Sequence, residues 1–166
     1  MVIEAEEAIE RLVQLTTETL DIRTQQLRQA RCRDILDYNA RHPNAPMPPI
    51  AVVIDEYADL VQVLDRSGRQ EFERRLVRLA QRARNVGIHL VIATQRPSAD
   101  IVTTSLKTNL PARIAFRLPS HHDSMTILDQ PGAENLLGRG DMLFLNSGNV
   151  ERVQGFYVSL DEWMGV

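Results

Sequence analysis

The sequence predicts an α/β protein with a mostly parallel sheet, helices on its flanks and a β-hairpin near the C-terminus. Three observations predict this class. Two short apolar runs, residues 50–54 and 88–93, are separated by a long amphipathic stretch. A third β-rich run follows at residues 113–118, after another stretch of helical character. Alternating strands and helices are typical of parallel sheets with helical crossovers.

Length and composition favour one domain with its own core. The chain has 166 residues, of which 43% are hydrophobic, which is enough to bury a core. No apolar run approaches the roughly 20 residues that span a bilayer, and the acidic first ten residues do not resemble a signal peptide. We therefore expect no direct membrane contact. Cys32 is the only cysteine, which excludes a disulfide within the chain and cysteine-based zinc sites.

The N-terminal third predicts helices followed by a strand. Residues 3–40 contain neither Pro nor Gly, and their apolar residues recur at helical spacing. Four prolines between residues 42 and 49 must end these helices. The run at residues 50–54 is rich in β-branched residues, which predicts a strand buried on both faces.

A helix over residues 69–86 is predicted next, closed by Gly87 as its C-cap. Its apolar side chains share one face, and Arg74, Arg78 and Arg82 line another. These arginines either contact DNA phosphates or an acidic neighbour, or form an ordinary solvated face. The charge distribution agrees with a local basic surface, because basic residues predominate between residues 66 and 117 although the whole chain has a net charge of −3.

The remaining elements complete the alternation. A strand is predicted at residues 88–93, a helix at 97–109 and a third strand of the parallel series at 113–118. Ser120 can cap a short helix ending near residue 128, and residues 142–145 and 150–158 predict the two strands of a hairpin. His121, His122 and Asp123 resemble metal ligands, but neighbouring residues rarely point the same way, so a solvated helix start is favoured.

The residues with the clearest chemical meaning follow the predicted strands. Asp55 and Glu56 come directly after the first strand, and Gln95 follows the second. Ligands of parallel sheets bind beyond the carboxyl ends of the strands. There an Asp can hold Mg²⁺, a Glu can activate water and a Gln can contact the γ-phosphate. Arg113 opens the third strand and can serve either as an arginine finger or as an ordinary strand-edge residue.

Several motifs occur together in a specific order. They are AVVIDEYADL at residues 51–60, RLAQRARNVGIHLVIATQRPS at 78–98, LPARIAF at 110–116 and ILDQPGAENLLGRGDMLF at 127–144, preceded by RDILDYN at 33–39. In this order they resemble the motor domain of the FtsK/SpoIIIE family of DNA translocases over roughly residues 5–160. Four motifs in matching order are far more specific than any one of them.

The resemblance implies an incomplete RecA-like P-loop NTPase core that assembles into a homohexameric ring around double-stranded DNA. It assigns Asp55 to Mg²⁺, Glu56 to the catalytic water and Gln95 to sensing ATP, so that Asp55, Glu56 and Gln95 form the nucleotide site. It assigns Arg113 to a neighbouring subunit's site, and Arg139, within the GRGDML pattern, is the candidate DNA contact. It also implies a bacterial, cytoplasmic motor whose full-length relatives are often anchored in the membrane.

Two departures qualify the resemblance. The family's P-loop, G-x-x-x-x-G-K-[ST], is absent, since the only lysine is Lys107 and no Gly-Lys pair exists. Without it the chain alone should neither bind ATP and Mg²⁺ well nor hydrolyse ATP. We therefore expect a partial motor domain, with residues 1–42 helical, 50–118 the Walker B core and 119–160 a helix and hairpin, that depends on an N-terminal motor half. Met125 replaces an Arg that the family commonly has.

The sequence thus predicts part of an ATP-driven double-stranded DNA translocase acting in chromosome or plasmid transfer, segregation and cell division. Two alternatives remain open. The chain can be an inactive ring subunit or scaffold, or it can belong to a ring ATPase of a secretion or conjugation system that moves a different cargo.

Overall fold

The computed structural model describes residues 5–165, which form two compact units. The N-terminal unit ends at Arg96 and the C-terminal unit begins at Pro97. This boundary falls inside the 50–118 segment, which the sequence predicts to be the Walker B core. None of the described helices is both long and apolar enough to cross a bilayer.

The N-terminal unit opens with three helices: α1 (Ala5–Gln14), α2 (Leu20–Gln29) and α3 (Ile35–Arg41). A π-helical segment, Leu15–Thr19, joins α1 to α2. The buried hydroxyl of Thr16 lies in this segment and donates to the carbonyl of Leu12 at 2.9 Å. The helices confirm the prediction for this region in the residues that the structure describes.

A two-stranded parallel sheet follows, formed by β1 (Ile50–Ile54) and β2 (Ile88–Ile92). Successive side chains of a strand point to opposite faces, and burial alternates accordingly. Val53 and Val91 are paired across the strands and are 66% and 53% exposed. The prediction that this strand is buried on both faces is therefore wrong. A run composed only of apolar residues cannot show which face the fold covers.

The helices between β1 and β2 supply half of the buried hydrophobic residues described for this unit. They are α4 (Tyr57–Gln62) and α5 (Arg66–Ala83). The apolar face of α5 is buried, with Leu76 and Leu79 fully inaccessible. A 3-10 turn, Arg84–Val86, continues α5 and ends at Gly87, whose φ is +71°. A Cβ there would lie 2.2 Å from the Cδ1 atom of Ile35, so only glycine fits, which confirms the predicted cap.

The C-terminal unit contains a three-stranded antiparallel sheet with the order β3–β4–β5. Its elements are α6 (Thr104–Asn109), β3 (Arg113–Phe116), α7 (His121–Leu128), β4 (Asp141–Asn146), β5 (Asn149–Gln154) and α8 (Leu160–Met164). A small core connects β3, β4 and α7, formed by Ala115, Leu128, Ala133, Leu136 and Leu145. Ser147 and Gly148 both have positive φ in the β4–β5 turn, which confirms the predicted hairpin.

Three predictions for this unit are wrong. The third strand does not extend the parallel sheet, because β3 pairs antiparallel with β4 from Arg113 to Phe116. The alternation of strands and helices along the chain does not show that β3 can pair with the edge of a hairpin that follows later in the sequence. The predicted 97–109 helix begins only at Thr104, because the hydroxyl of Thr103 accepts the Leu106 amide as an N-cap. The second hairpin strand also ends earlier than expected, at Gln154.

Candidate functional site

The carboxyl ends of β1 and β2 lie side by side. The amide of Ala93 donates to the carbonyl of Ile54 at 2.8 Å, and the amide of Tyr57 donates to the carbonyl of Ala93 at 2.9 Å. These bonds continue the parallel pairing beyond the last strand residues. The two segments predicted to bear functional residues, 55–56 and 94–95, are therefore neighbours at one edge of the sheet.

Glu56 is the centre of this strand-end cluster, which we define as Asp55, Glu56, Thr94 and Gln95. One carboxylate oxygen of Glu56 accepts from the Thr94 hydroxyl at 2.6 Å, and the other accepts from the Gln95 amide at 2.9 Å. Glu56 is half-buried, and its backbone is extended just before α4 begins. Both oxygens of the predicted water-activating group are thus bound to the neighbouring strand end.

These contacts determine the ionisation of Glu56. Partial burial alone would raise the pKa of the carboxyl group. The hydrogen bonds from Thr94 and from the Gln95 amide, together with the charge of Arg96, outweigh burial and lower the pKa of Glu56 below its usual value. Glu56 is therefore a carboxylate at neutral pH, which a group that accepts a proton from water requires.

Asp55 and the side chain of Gln95 complete the cluster and are both exposed. Mg²⁺ in nucleotide sites is bound through one or two carboxylates, with phosphate oxygens and waters completing the octahedron. An exposed Asp55 beside an ionised Glu56 fits such a partial set of ligands. The sequence contains no Gly-Lys pair that would hold the β- and γ-phosphates. Within the described residues, no three His, Cys, Asp or Glu side chains form a closed metal cage.

Arg113, the predicted arginine finger, lies in an ion-pair cluster of the C-terminal unit. Its guanidinium donates to the carbonyl of Ile127 and to Asp129, both at 2.7 Å, and the side chain is only 18% exposed. Lys107 binds the other oxygen of Asp129 at 2.6 Å. The hydrogen bonds from Lys107 and Arg113 lower the pKa of Asp129. The role of Arg113 toward a neighbouring subunit stays a prediction.

Arg139 lies exposed in the loop that precedes β4. Gly138, Arg139 and Gly140 all have positive φ, with values of 82°, 56° and 89°. The loop is fixed on both sides. The side-chain amide of Gln154 donates through Nε2 to the carbonyl of Arg139 at 2.9 Å, and the Asp141 carboxylate accepts the Leu137 backbone amide at 2.7 Å. The structure therefore presents Arg139 on an ordered turn, and its contact with DNA stays a prediction.

The arginine stripe of α5 is engaged within the N-terminal unit. Arg78 and Arg82 both bind Asp21 of α2, at 2.8 and 3.0 Å, and Arg74 pairs with Glu71. Cations already paired with carboxylates are less able to neutralise DNA phosphates and so to release the counterions bound to the DNA. This arrangement supports the open alternative of an acidic neighbour over a DNA contact.

The histidine pair at the start of α7 also has a local explanation. The hydroxyl of Ser120 accepts the Asp123 amide as the N-cap of α7, as the sequence predicts. His121 lies 3.5 Å from Glu134. These residues act in helix capping and in a surface contact.

Thr94 is the cluster residue that sequence reasoning did not assign. Of the residues that follow the second strand, only Gln95 has a role predicted from the sequence. The available signal was its position directly before Gln95 and one strand away from Glu56, where a hydroxyl can reach a carboxylate. A short side chain without charge attracts less notice in a sequence than an Asp-Glu pair.

Comparison with known proteins agrees with this architecture. A model described as the FtsK/SpoIIIE family matches residues 1–99. The chain is 52% identical over 128 residues to DNA translocase FtsK of Sporosarcina ureae, covering 76% of this chain and 16% of the relative. For DNA translocase FtsK of Haemophilus influenzae the identity is 51% over 129 residues, with 72% and 24% covered. The chain therefore spans less than a quarter of the length of these relatives.

Solved structures give the same result for the fold. The conjugation coupling protein TcpA of pCW3, determined as a monomer with ATPγS, matches with a TM-score of 0.87 and 30% identity over 97% of this chain and 47% of its own. The type VII secretion ATPase EccC of Thermomonospora curvata matches with a TM-score of 0.78 and 25% identity over 96% of this chain and 19% of its own. The predicted α/β class and ATPase motor fold are confirmed, and the chain belongs to the FtsK/SpoIIIE family.

Proposed function

We propose that this chain is the Walker B part of an ATP-driven motor that translocates double-stranded DNA in chromosome or plasmid transfer and segregation. The convergence of Asp55, Glu56 and Gln95 at one sheet edge carries the proposal. It is supported by relatives about half identical in sequence that are named DNA translocases. These relatives are much longer than the chain, so we propose only a share in their activity.

The strand-end cluster supports a division of labour in ATP hydrolysis. Glu56 accepts a proton from water while the water oxygen bonds to the γ-phosphorus and the bond from that phosphorus to the bridging oxygen breaks, releasing ADP. Gln95 senses the γ-phosphate. Asp55 would hold Mg²⁺, which supplies neutralisation of charge on the phosphate oxygens. Glu56 suits its role because its carboxylate is ionised and fixed from both oxygens.

The grip on the triphosphate comes, in this proposal, from polypeptide outside these 166 residues. A P-loop binds phosphates through consecutive backbone amides and a lysine, and the sequence has no Gly-Lys pair. An N-terminal motor half would supply it. We propose that this half and the present chain together form one subunit of a homohexameric ring around the duplex.

Two arginines have proposed roles in the ring. Arg113 would act on the nucleotide of a neighbouring subunit, for which its guanidinium must exchange Asp129 for a phosphate oxygen. Such an exchange is chemically matched, since a carboxylate and a phosphate both offer anionic oxygens to a guanidinium. Arg139 would contact the DNA backbone from its ordered turn.

A second candidate function is a ring ATPase of a conjugation or secretion system. The high structural similarity to a conjugation coupling protein and to a secretion ATPase favours it. A subunit without hydrolytic activity of its own is the remaining alternative. The three differ in two measurable respects, which are whether ATP is hydrolysed at Glu56 and whether duplex DNA accelerates the reaction.

The test is a chimeric motor in which the P-loop half of the Haemophilus influenzae relative precedes this chain. We expect ATP hydrolysis that duplex DNA stimulates more than single-stranded DNA. Glu56→Gln should lower turnover about 10²–10⁴-fold and leave ATP binding intact, because only proton acceptance is lost. Glu151→Gln, at an exposed position of β5, is the matched control and should retain turnover.

Three outcomes would count against the proposal. An unchanged rate in the Glu56→Gln chimera would remove the catalytic role of Glu56. Hydrolysis without any response to duplex DNA would favour the secretion-type candidate. A folded chimera that binds ATP and never hydrolyses it would favour the inactive subunit.

A further inference from the structure

We infer that Thr94 is a positioning residue for hydrolysis, whose hydroxyl holds the Glu56 carboxylate in place for the attacking water. The inference deepens the proposed function and rests on the water-activating role of Glu56. Thr94 does not touch the reacting atoms in this scheme. It acts only through the carboxylate that it binds.

The contact between the two side chains is strong by its geometry. The Thr94 hydroxyl oxygen lies 2.6 Å from a Glu56 carboxylate oxygen. Distances of 2.5–2.7 Å are typical of a hydroxyl that donates to a charged acceptor, and such bonds are about twice as strong as neutral ones. This bond therefore restricts Glu56 more than an ordinary surface hydrogen bond would.

The direction of the hydroxyl proton is fixed by a second contact. The amide of Arg96 donates to the same Thr94 oxygen at 3.2 Å. A hydroxyl carries one proton, and an oxygen that already accepts from an amide directs that proton to its other partner. Thr94 thus connects the backbone after β2 to the carboxylate after β1.

The hydrogen bonds from Thr94 and Gln95 leave Glu56 able to bind water. The second oxygen accepts the Gln95 amide, so each carboxylate oxygen has one bound donor. A carboxylate has about four lone-pair sites, and the remaining ones can accept from a water molecule. The hydrogen bonds from Thr94 and Gln95 therefore fix the orientation of Glu56 without blocking its remaining lone pairs. One of these bonds comes from the residue that is predicted to sense the γ-phosphate.

The groups around Glu56 set the effect of removing the hydroxyl. Glu56 is acted on by neutral donors from Thr94, Gln95 and the Ala58 backbone and by the cation Arg96, which also binds Gln62 of α4. Asp55 lies next to Glu56 in sequence and adds negative charge at the same edge. Without the Thr94 hydroxyl, one carboxylate oxygen of Glu56 loses its side-chain donor, so the Glu56 side chain should populate additional rotamers.

The first experiment measures the rotamer populations of the Glu56 side chain by NMR three-bond couplings in the 166-residue chain, with Glu56→Gln used to assign the resonances. Thr94→Val, which keeps the shape and removes the hydroxyl, should spread Glu56 over several rotamers, and Thr94→Ser should restore a single one. Thr108→Val, which removes an exposed hydroxyl of α6, is the matched control. Unchanged rotamer populations in Thr94→Val would overturn the inference, and Thr94→Ala repeats the test should the valine variant fail to fold.

The second experiment measures hydrolysis in the chimeric motor. Thr94→Val should lower kcat about tenfold and leave the KM for ATP within about twofold, since one hydrogen bond to a charged group is lost and phosphate binding is not. Thr94→Ser, which returns a hydroxyl to this position, should restore kcat.

The outcomes separate this inference from the proposed function. A Thr94→Val motor with unchanged kcat overturns the positioning role. Should Glu56→Gln retain full turnover, the proposed catalytic role fails instead, and the NMR rotamer measurement still decides whether Thr94 holds Glu56. A fall in kcat with an equally large rise in KM, or without rescue by Thr94→Ser, would reduce Thr94 to a structural role and contradict the inference.

Discussion

Glu56 in the N-terminal unit and Asp141 in the C-terminal unit are both carboxylates bound through both oxygens, but their partners differ. Glu56 accepts from a hydroxyl and an amide, neither of which carries a charge. Asp141 binds the guanidinium of Arg152 at 2.8 and 2.7 Å and also accepts the Leu137 amide. Neutral donors fix a carboxylate and leave its negative charge available, whereas a bidentate arginine neutralises it.

This difference separates a carboxylate suited to chemistry from one suited to structure. The charge on Glu56 can still attract a proton, a cation or a polarised water. The charge on Asp141 is neutralised by Arg152, and the carboxylate holds the turn that contains Arg139. An acidic residue within a family motif therefore need not belong to the reaction, and its partners identify which kind it is.

Removal of the Asp141 charge should give the largest structural effect. In Asp141→Asn, the bidentate pair with Arg152 is lost and Leu137 loses an ionised acceptor. We expect the Leu137 amide to exchange with solvent at least about tenfold faster, measured by hydrogen–deuterium exchange NMR. The matched change Glu56→Gln should leave Leu137 exchange unaltered. Unchanged exchange in Asp141→Asn would contradict a structural role for this carboxylate.

Acid should reproduce part of this effect in the unmodified chain. The Arg152 hydrogen bonds, followed by the Leu137 amide, lower the pKa of Asp141 from 3.8 to about 2. A depressed pKa stabilises the folded state above the unfolded-state value, and this contribution is lost as the pH falls through the folded-state value. Protection of the 137–141 turn should therefore decline between about pH 4 and pH 2.

The Asp141→Asn variant isolates this titration from the other carboxylates. Asp129 and Glu134 also have lowered pKa values and titrate in the acid range. The variant should show a smaller change in Leu137 exchange over the same interval, since Asn does not ionise. Equal pH dependence in both proteins would assign the acid response to other groups.

The sequence predicted the juxtaposition of the first two strand ends better than it predicted the rest of the sheet. The rule that ligands bind beyond the carboxyl ends of parallel strands needs only the position of the strands, and it placed Asp55, Glu56 and Gln95 at one edge. Their catalytic roles stay predictions. The placement of β3 could not be found, since its partner β4 lies 25 residues later and pairing is a tertiary choice. The local sequence shows where strands form, but it does not show which strands pair.

The roles of individual polar side chains were also only partly predictable. Nothing in the sequence shows that Arg113 binds Asp129 or that Arg78 binds Asp21, because the partners are 16 and 57 residues apart. The helical spacing of Arg74, Arg78 and Arg82 was correctly inferred, and it left their partner open. Sequence motifs thus indicate which residues can take part in a reaction, whereas the fold determines which partners those residues bind.

Asp21 sharpens the comparison, because it too is paired with arginine but differs from Asp141 in exposure. Its side chain is 42% exposed, against 9% for Asp141. Exposed ion pairs contribute only about 0–1 kcal/mol, since water and salt screen them. Asp21→Asn should therefore lower the free energy of unfolding of the N-terminal unit by about 0.5 kcal/mol, measured by urea denaturation.

The salt dependence of this variant decides whether burial or arginine pairing makes the difference. The small loss in Asp21→Asn should fade further at high salt, because the Debye length falls to about 3 Å at 1 M. Leu137 exchange in Asp141→Asn should stay fast at the same salt concentration, since the Asp141 carboxylate that binds the Leu137 amide is covered, although Arg152 itself is 56% exposed. The effect of Asp21→Asn could instead prove as large as that of Asp141→Asn and equally insensitive to salt. In that case the number of arginine contacts, rather than exclusion of water, makes a paired carboxylate structural in this protein.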